Sequence, residues 1–242
     1  MDPVTVSFVI AVVLVATVTQ TVAGFGFALI AVPLFVTVLD VRDAVALTTL
    51  VGITNNAIVT RTAWRHVPWP TVFPMLGGAM LGMPLGLAVL LLAPQDALRL
   101  GVGAATVAMT AAMAAGLRFG SRSLVSEAGI GLLSGILNTS TGMNGPPVVL
   151  YMQGRDHPPG EFRGGLAVFF FVCNFVTLAI FAASGVISSH ALTLAAAAMP
   201  VLAVGSLVGH AALRRIDPAH FGRLVFGLLL ASALAAIVSV LV

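Results

Sequence analysis

Two apolar stretches of this chain, residues 4–39 and 124–152, are each too long for one passage through a bilayer, and each is broken by small and polar residues. A hydrocarbon core of about 30 Å takes roughly 20 apolar residues as helix. The first stretch is interrupted at Gly24-Phe25-Gly26, the second at Asn138-Thr139-Ser140-Thr141 and again at Pro146-Pro147. Six other runs, residues 44–60, 70–92, 100–117, 164–186, 191–213 and 224–242, are of crossing length and carry no Asp, Glu, Lys or Arg. Composition agrees, with 59% hydrophobic and 8% charged residues against about 25% charged in a soluble chain. A mean hydropathy of +1.10 also excludes disorder, because so much apolar surface cannot stay solvated. The fold class expected is an all-α integral membrane protein.

Arg placement decides how the interrupted stretches run, because short cytoplasmic loops collect basic residues. All eleven basic residues are Arg. If each interrupted stretch crossed once, seven Arg would face four across the membrane. If each is a hairpin returning to its starting side, Arg61, Arg65, Arg118, Arg122, Arg155, Arg163, Arg214, Arg215 and Arg223 face only Arg42 and Arg99. Hairpins are therefore expected, with both termini outside. Residues 124–137 would make about 21 Å of helix at 1.5 Å per residue, so the second hairpin is expected to be re-entrant, while the first could span fully. The start, Met1-Asp2-Pro3 and then an apolar run, lacks a basic n-region and a cleavage site, so the first helix is expected to be retained.

The chain also reads as a duplication. Gly24 and Asn56 match Gly142 and Asn174, both pairs 118 positions apart, and Gly78-x3-Gly82 and Arg99-x3-Gly103 recur as Gly205-x3-Gly209 and Arg223-x3-Gly227. The expected architecture is two inverted-topology repeats, residues 1–120 and 121–242. Each would be a broken, re-entrant helical hairpin plus three transmembrane helices, together forming one transport domain. Gly78, Gly82, Gly86, Gly205 and Gly209 are expected to let helix backbones approach closely. Pro33, Pro84 and Pro200 read as kinks or helix ends.

Irregular backbone at membrane depth must be buried in protein or line a wet cavity. A helix starting after each break would point free N–H groups and its positive dipole end inward, as an anion site requires, and Pro146-Pro147 suit the first turn of such a helix. The substrate-binding residues expected are Gln20, Gly24, Phe25 and Gly26 around the first break, Asn138, Thr141, Gly142, Asn144 and Gly145 around the second, and the paired Asn56 and Asn174. Ser, Thr and Asn here could equally cap the broken helices. No carboxylate or cation falls near the centre of a full-length run, which favours an anion held by neutral donors over a cation pathway. Asn55 has Cys173 as its counterpart, and that single cysteine is read as a small buried hydrophobe. It also rules out intrachain disulfides and a multi-thiolate metal site. The five His residues fall in or near loops. Ser134 and Ser140 have no base at helical spacing, so an enzyme is not expected.

The run Gly24-Phe25-Gly26-Phe27-Ala28-Leu29-Ile30-Ala31-Val32-Pro33-Leu34 resembles the first-repeat signature of the sulfite exporter TauE/SafE family of membrane permeases. Gly135-Ile136-Leu137-Asn138 through Thr141-Gly142-Met143-Asn144-Gly145-Pro146-Pro147 resembles the second, and Arg163 follows at the usual place. Asn138 and Thr139 stand where relatives often have Gly and small residues. The resemblance implies a secondary transporter, in the direction of export, of a small sulfur-containing oxyanion such as sulfite or an organosulfonate, in a bacterial inner membrane. A passive anion channel is the alternative. The partners implied are the anionic substrate and the lipid bilayer, with a coupling ion (proton or sodium) and a homodimer as candidates. No nucleic acid, metal or cofactor is expected.

Overall fold

A computed structural model describes residues 2–117, 123–155, 157–213 and Gly227. Among them the chain forms helices α1 Pro3–Ala23, α2 Phe27–Phe35, α3 Val41–Ala63, α4 Trp69–Leu92, α5 Gln95–Ala114, α6 Leu124–Thr141, α7 Gly145–Gly154, α8 Pro159–Ala183 and α9 Ser189–Leu213. The run 224–242, His220 and five of the Arg residues lie outside the described residues, as does the expected boundary between residues 120 and 121. The protein is a membrane protein, and among the described residues its regular structure is helical. Five of the helices, α1, α4, α5, α8 and α9, are long and apolar enough to cross a bilayer.

Helix starts follow local chemistry. Asp2 caps α1 by accepting from the Val4 N–H, and Pro3 occupies the first turn, where its missing N–H is no loss. Ser123 caps α6 through the Ser126 N–H. Prolines open α4, α7 and α8. Pro33, Pro84 and Pro200 all sit inside helices rather than ending them. Gly24 (φ 84°) and Gly142 (φ 71°) end α1 and α6 in the left-handed conformation that glycine adopts without strain.

The second break is shorter than the sequence predicts. Asn138, Thr139, Ser140 and Thr141 form the last turn of α6, which reaches 18 residues or about 27 Å. The reason is local: Thr139, Ser140 and Thr141 donate their hydroxyls to the carbonyls four residues back, Gly135, Ile136 and Leu137. That satisfies polar side chains inside the helix instead of terminating it.

Close contacts fix the direction of each helix. Gly78, Gly82 and Gly86 of α4 meet Ala128, Leu132 and Ile136 of α6 in the same order, so these two run parallel. Gly205 and Gly209 of α9 meet Thr17 and Thr21 of α1, also parallel. Conversely, Gly164 of α8 lies against Ala63 of α3, and Gly52 against Asn174, which makes α3 and α8 antiparallel. Arg42 at the start of α3 donates to the Leu90 and Leu91 carbonyls at the end of α4, so α3 and α4 are antiparallel too. Ser188 and His190 meet Asp43 at one end, and His210 shares a pocket with Ile58 and Ala63 at the other, so α9 runs with α3. Hence α1, α3 and α9 point one way and α4, α6 and α8 the other. Since α1 and α3 share a direction, residues 24–40 carry the chain back, and residues 142–158 do the same between α6 and α8.

One foot of the second hairpin is tied by charge. Arg155, just after α7, donates to Glu127 in the first turn of α6 at 2.9 Å and to the Tyr151 hydroxyl at 2.7 Å, and Tyr151 itself donates to Glu127 at 3.2 Å. Both charged side chains are about nine-tenths buried, 11% and 8% exposed. Removing one partner strands the other, at about 3–5 kcal/mol, whereas removing both charges is far milder. Arg155→Met should therefore lower the unfolding temperature in detergent by several degrees, and Arg155→Met with Glu127→Gln should recover most of the loss.

Candidate functional site

Residues from the two breaks line one cavity. Phe25, Gly26, Phe27, Ala28 and Leu29 come from the first, and Gly142, Met143, Asn144 and Gly145 from the second. Two helices complete the wall, α3 through Thr48, Thr49, Gly52 and Asn56, and α8 through Phe170 and Asn174; Gln20 of α1 joins them. These positions fall near the middle of α3 and of α8. The volume open to the centre of a water molecule is about 30 Å³, enough for about two waters or one compact ion.

The wall mixes apolar residues with six polar side chains and carries no formal charge. Gln20 Nε2 donates to Asn56 Oδ1 at 2.7 Å. The Gln20 Oε1 and Asn144 Nδ2 atoms are buried with no partner, though their residues are only 5% and 7% exposed. Asn174, 9% exposed, makes no side-chain hydrogen bond among the described residues. A buried donor left unmade costs about 1–3 kcal/mol, so Asn144 Nδ2 and the Asn174 amide at one cavity point to a solute that accepts hydrogen bonds, while Gln20 Oε1, an acceptor, is not met by such a solute. Helices α2 and α7 begin at this cavity, with caps at Gly26 and Asn144 that supply no side-chain hydrogen bond. Their N-termini thus bring positive dipole ends to the same place, although Pro146 and Pro147 carry no N–H and leave Gly145 as the backbone donor in the first turn of α7.

Eight of the eleven sequence-predicted site residues share this wall: Gln20, Phe25, Gly26, Asn56, Gly142, Asn144, Gly145 and Asn174. The other three stand off it. Gly24 packs beside Arg163, Asn138 Nδ2 donates to Thr177 Oγ1 at 2.7 Å, and Thr141 bonds back to Leu137. Asn55 is buried off the wall with neither amide atom paired, which nothing in the structure explains. Sequence reasoning missed Thr48, Thr49, Gly52 and Phe170. Thr48, Gly52 and Asn56 are four apart, one stripe of a helix, and that spacing was the available signal. Cys173 is fully buried in an apolar cluster.

The model of the sulfite exporter TauE/SafE family matches residues 9–236. The chain belongs to that family. A probable sulfite/organosulfonate exporter TauE of Cupriavidus necator is 27% identical over 220 residues, which is 87% of this chain and 85% of that one. No solved structure matches. The two runs that carry the TauE/SafE resemblance are each a helix end, a glycine break and the start of a short helix, and both contribute to the cavity wall.

Proposed function

We propose that this chain is a secondary transporter that exports a small sulfur-containing oxyanion across a bacterial inner membrane, binding it at the midplane between the N-termini of α2 and α7. The observation that carries the reading is the cavity itself: neutral donors and two helix N-termini, from chain breaks of both halves, around space for one compact ion. An oxyanion accepts several hydrogen bonds at once, and helix dipoles offset its charge without burying a permanent cation. Membership of the TauE/SafE family and the name of the Cupriavidus relative supply the substrate class. No side chain on the wall is a nucleophile with a base beside it, and transport rather than catalysis is the role such a family implies.

The proposal includes an inverted repeat. Pairing α1 with α9 and α6 with α4, each parallel, and α3 with α8, antiparallel, is the pattern that exchanging two oppositely oriented halves would leave unchanged. Cavity residues match in the same way at 118 positions: Phe25 with Met143, Gly26 with Asn144, Phe27 with Gly145, Gly52 with Phe170, Asn56 with Asn174. Export then follows from rocking one half against the other around the cavity. Among the described residues Arg61, Arg65, Arg155 and Arg163 gather at one end and Arg42 and Arg99 at the other, so the first end is read as cytoplasmic.

Purified protein in proteoliposomes should accumulate labelled sulfite or an organosulfonate above equilibrium when an ion gradient is imposed. Equilibration without accumulation would mark a passive channel instead. In detergent, sulfite, thiosulfate, sulfoacetate or taurine should raise the unfolding temperature, while acetate should not. At 100 times its dissociation constant a ligand adds about 2.7 kcal/mol, a shift of several degrees.

A further inference from the structure

A second pocket, about 270 Å³ in the same measure, lies at the Arg163 end, and Gln20 belongs to its wall as well as to the cavity's. Gly24, Ala63, His66, Arg163 and His210 surround it. Arg163 Nη2 donates to the Thr21 and Val22 carbonyls at 3.2 and 3.1 Å, which fixes the guanidinium over the end of α1. Its Nε and Nη1 hydrogens have no partner among the described residues. Gln20, which lines both, is hydrogen-bonded to Asn56 of the cavity wall.

The equivalent place around the other break is built differently. Val45 lies 118 positions before Arg163, and with Val32 it packs on Gly142, 3.6 and 3.2 Å from where a Cβ would stand; both valines are 0% exposed. Gln20's counterpart, Asn138, is held by Thr177. One break thus has a pocket with a cation on its wall beside it, and the other is packed by two buried valines.

We propose that the Arg163 pocket is a second oxyanion subsite, an antechamber through which the anion reaches the central cavity, and that the Gln20–Asn56 hydrogen bond is its gate. The inference rests on the transport reading. Arg163, with Nε and Nη1 unpaired among the described residues, lines a pocket with no carboxylate among its lining residues, and a guanidinium with two free nitrogens can hold a sulfonate or sulfite in two hydrogen bonds. An anion arriving at Gln20 offers a new acceptor for Nε2, so the bond to Asn56 is exchanged rather than merely lost. The orphaned donor of Asn144 and the amide of Asn174 then receive the ion. Val32 and Val45 keep the far side shut while this happens.

Thiol labelling of the full chain in membrane vesicles tests this. In a Cys173→Ala background, Ala63→Cys reports the antechamber and Thr49→Cys the cavity. Ala63→Cys should react about tenfold faster with an anionic sulfonate-bearing methanethiosulfonate than with a cationic one. Arg163→Gln should erase that preference, and isethionate should slow the anionic reagent only when Arg163 is present. Thr49→Cys should label at least about tenfold faster once Gln20→Ala removes the gate; Gln20→Ser repeats the measurement should the first variant fold poorly. An unchanged anion preference in Arg163→Gln, or Thr49→Cys labelling indifferent to residue 20, overturns the inference. If that happens while sulfite accumulation persists, the transport reading stands. If the labelling pattern holds and no anion accumulates, the transport reading falls and takes the gate with it.

Discussion

Asn56→Ala and Asn174→Ala should each reduce anion flux in proteoliposomes by about a hundredfold or more while leaving folded protein in the membrane. The magnitude follows from what each amide is asked to do. Leaving a buried donor or acceptor unmet costs about 1–3 kcal/mol, up to about a hundredfold, and the solute loses its own contact as well. Asn56 would leave Gln20 Nε2 without its 2.7 Å acceptor, and Asn174 would remove a donor that has no competing partner among the described residues. Asn138→Ala serves as the contrast. Its amide is already committed to Thr177, off the cavity wall, so it should cost stability more than flux. Normal flux in both Asn56→Ala and Asn174→Ala would remove the cavity from the transport path.

The largest effect on folding should come from the contact of α4 with α6. A Cβ at Gly78, Gly82 or Gly86 would overlap carbonyl groups of Ala128, Leu132 and Ile136, and a Cβ at Gly131 or Gly135 would overlap Met75 and Ala79. Backbone cannot yield as a flexible side chain does, so the helices must separate along their length. Small-residue interfaces hold membrane helices by close packing, with no hydrophobic drive between helices to compensate. Gly82→Leu and Gly135→Val should therefore abolish monodisperse protein in detergent, and Gly82→Ala should lower the unfolding temperature by about 10 °C or more, several kcal/mol on the usual scale. Gly77 and Gly129, neighbours in sequence, have nothing within 4 Å of a Cβ. Gly77→Ala and Gly129→Ala should be neutral or stabilising by up to about 1 kcal/mol, since alanine is the better helix former. Equal damage at both sets of positions would show that helix propensity, and not interhelical distance, governs these glycines.

These two experiments separate what was legible along the chain from what was not. Gly24 and Gly142 declare the breaks because glycine readily adopts the positive φ that ends α1 and α6. Pro146 and Pro147 declare the helix that follows. The equal spacing of Asn56 and Asn174 from those glycines carried the pairing of two midhelix amides before any coordinates. Hydrophobic runs gave the helices to within a few residues, although α5 begins at Gln95 and α8 at Pro159, both five residues earlier than apolar character suggests. Polar residues can occupy a first helical turn at the bilayer edge, and hydropathy does not count them.

The lengths of the apolar runs and the positions of the glycines thus determined that the chain is a bundle of membrane helices with two interruptions, because those properties act along the chain. Only the tertiary structure decided that Gln20 bonds Asn56 while Asn138 bonds Thr177, that Thr139 to Thr141 stay helical, and that Arg163 holds the end of α1 while Val45 packs on Gly142. Each of those depends on which atoms arrive from distant helices to compete for a hydrogen bond or a volume, and that competition is settled in space rather than along the sequence.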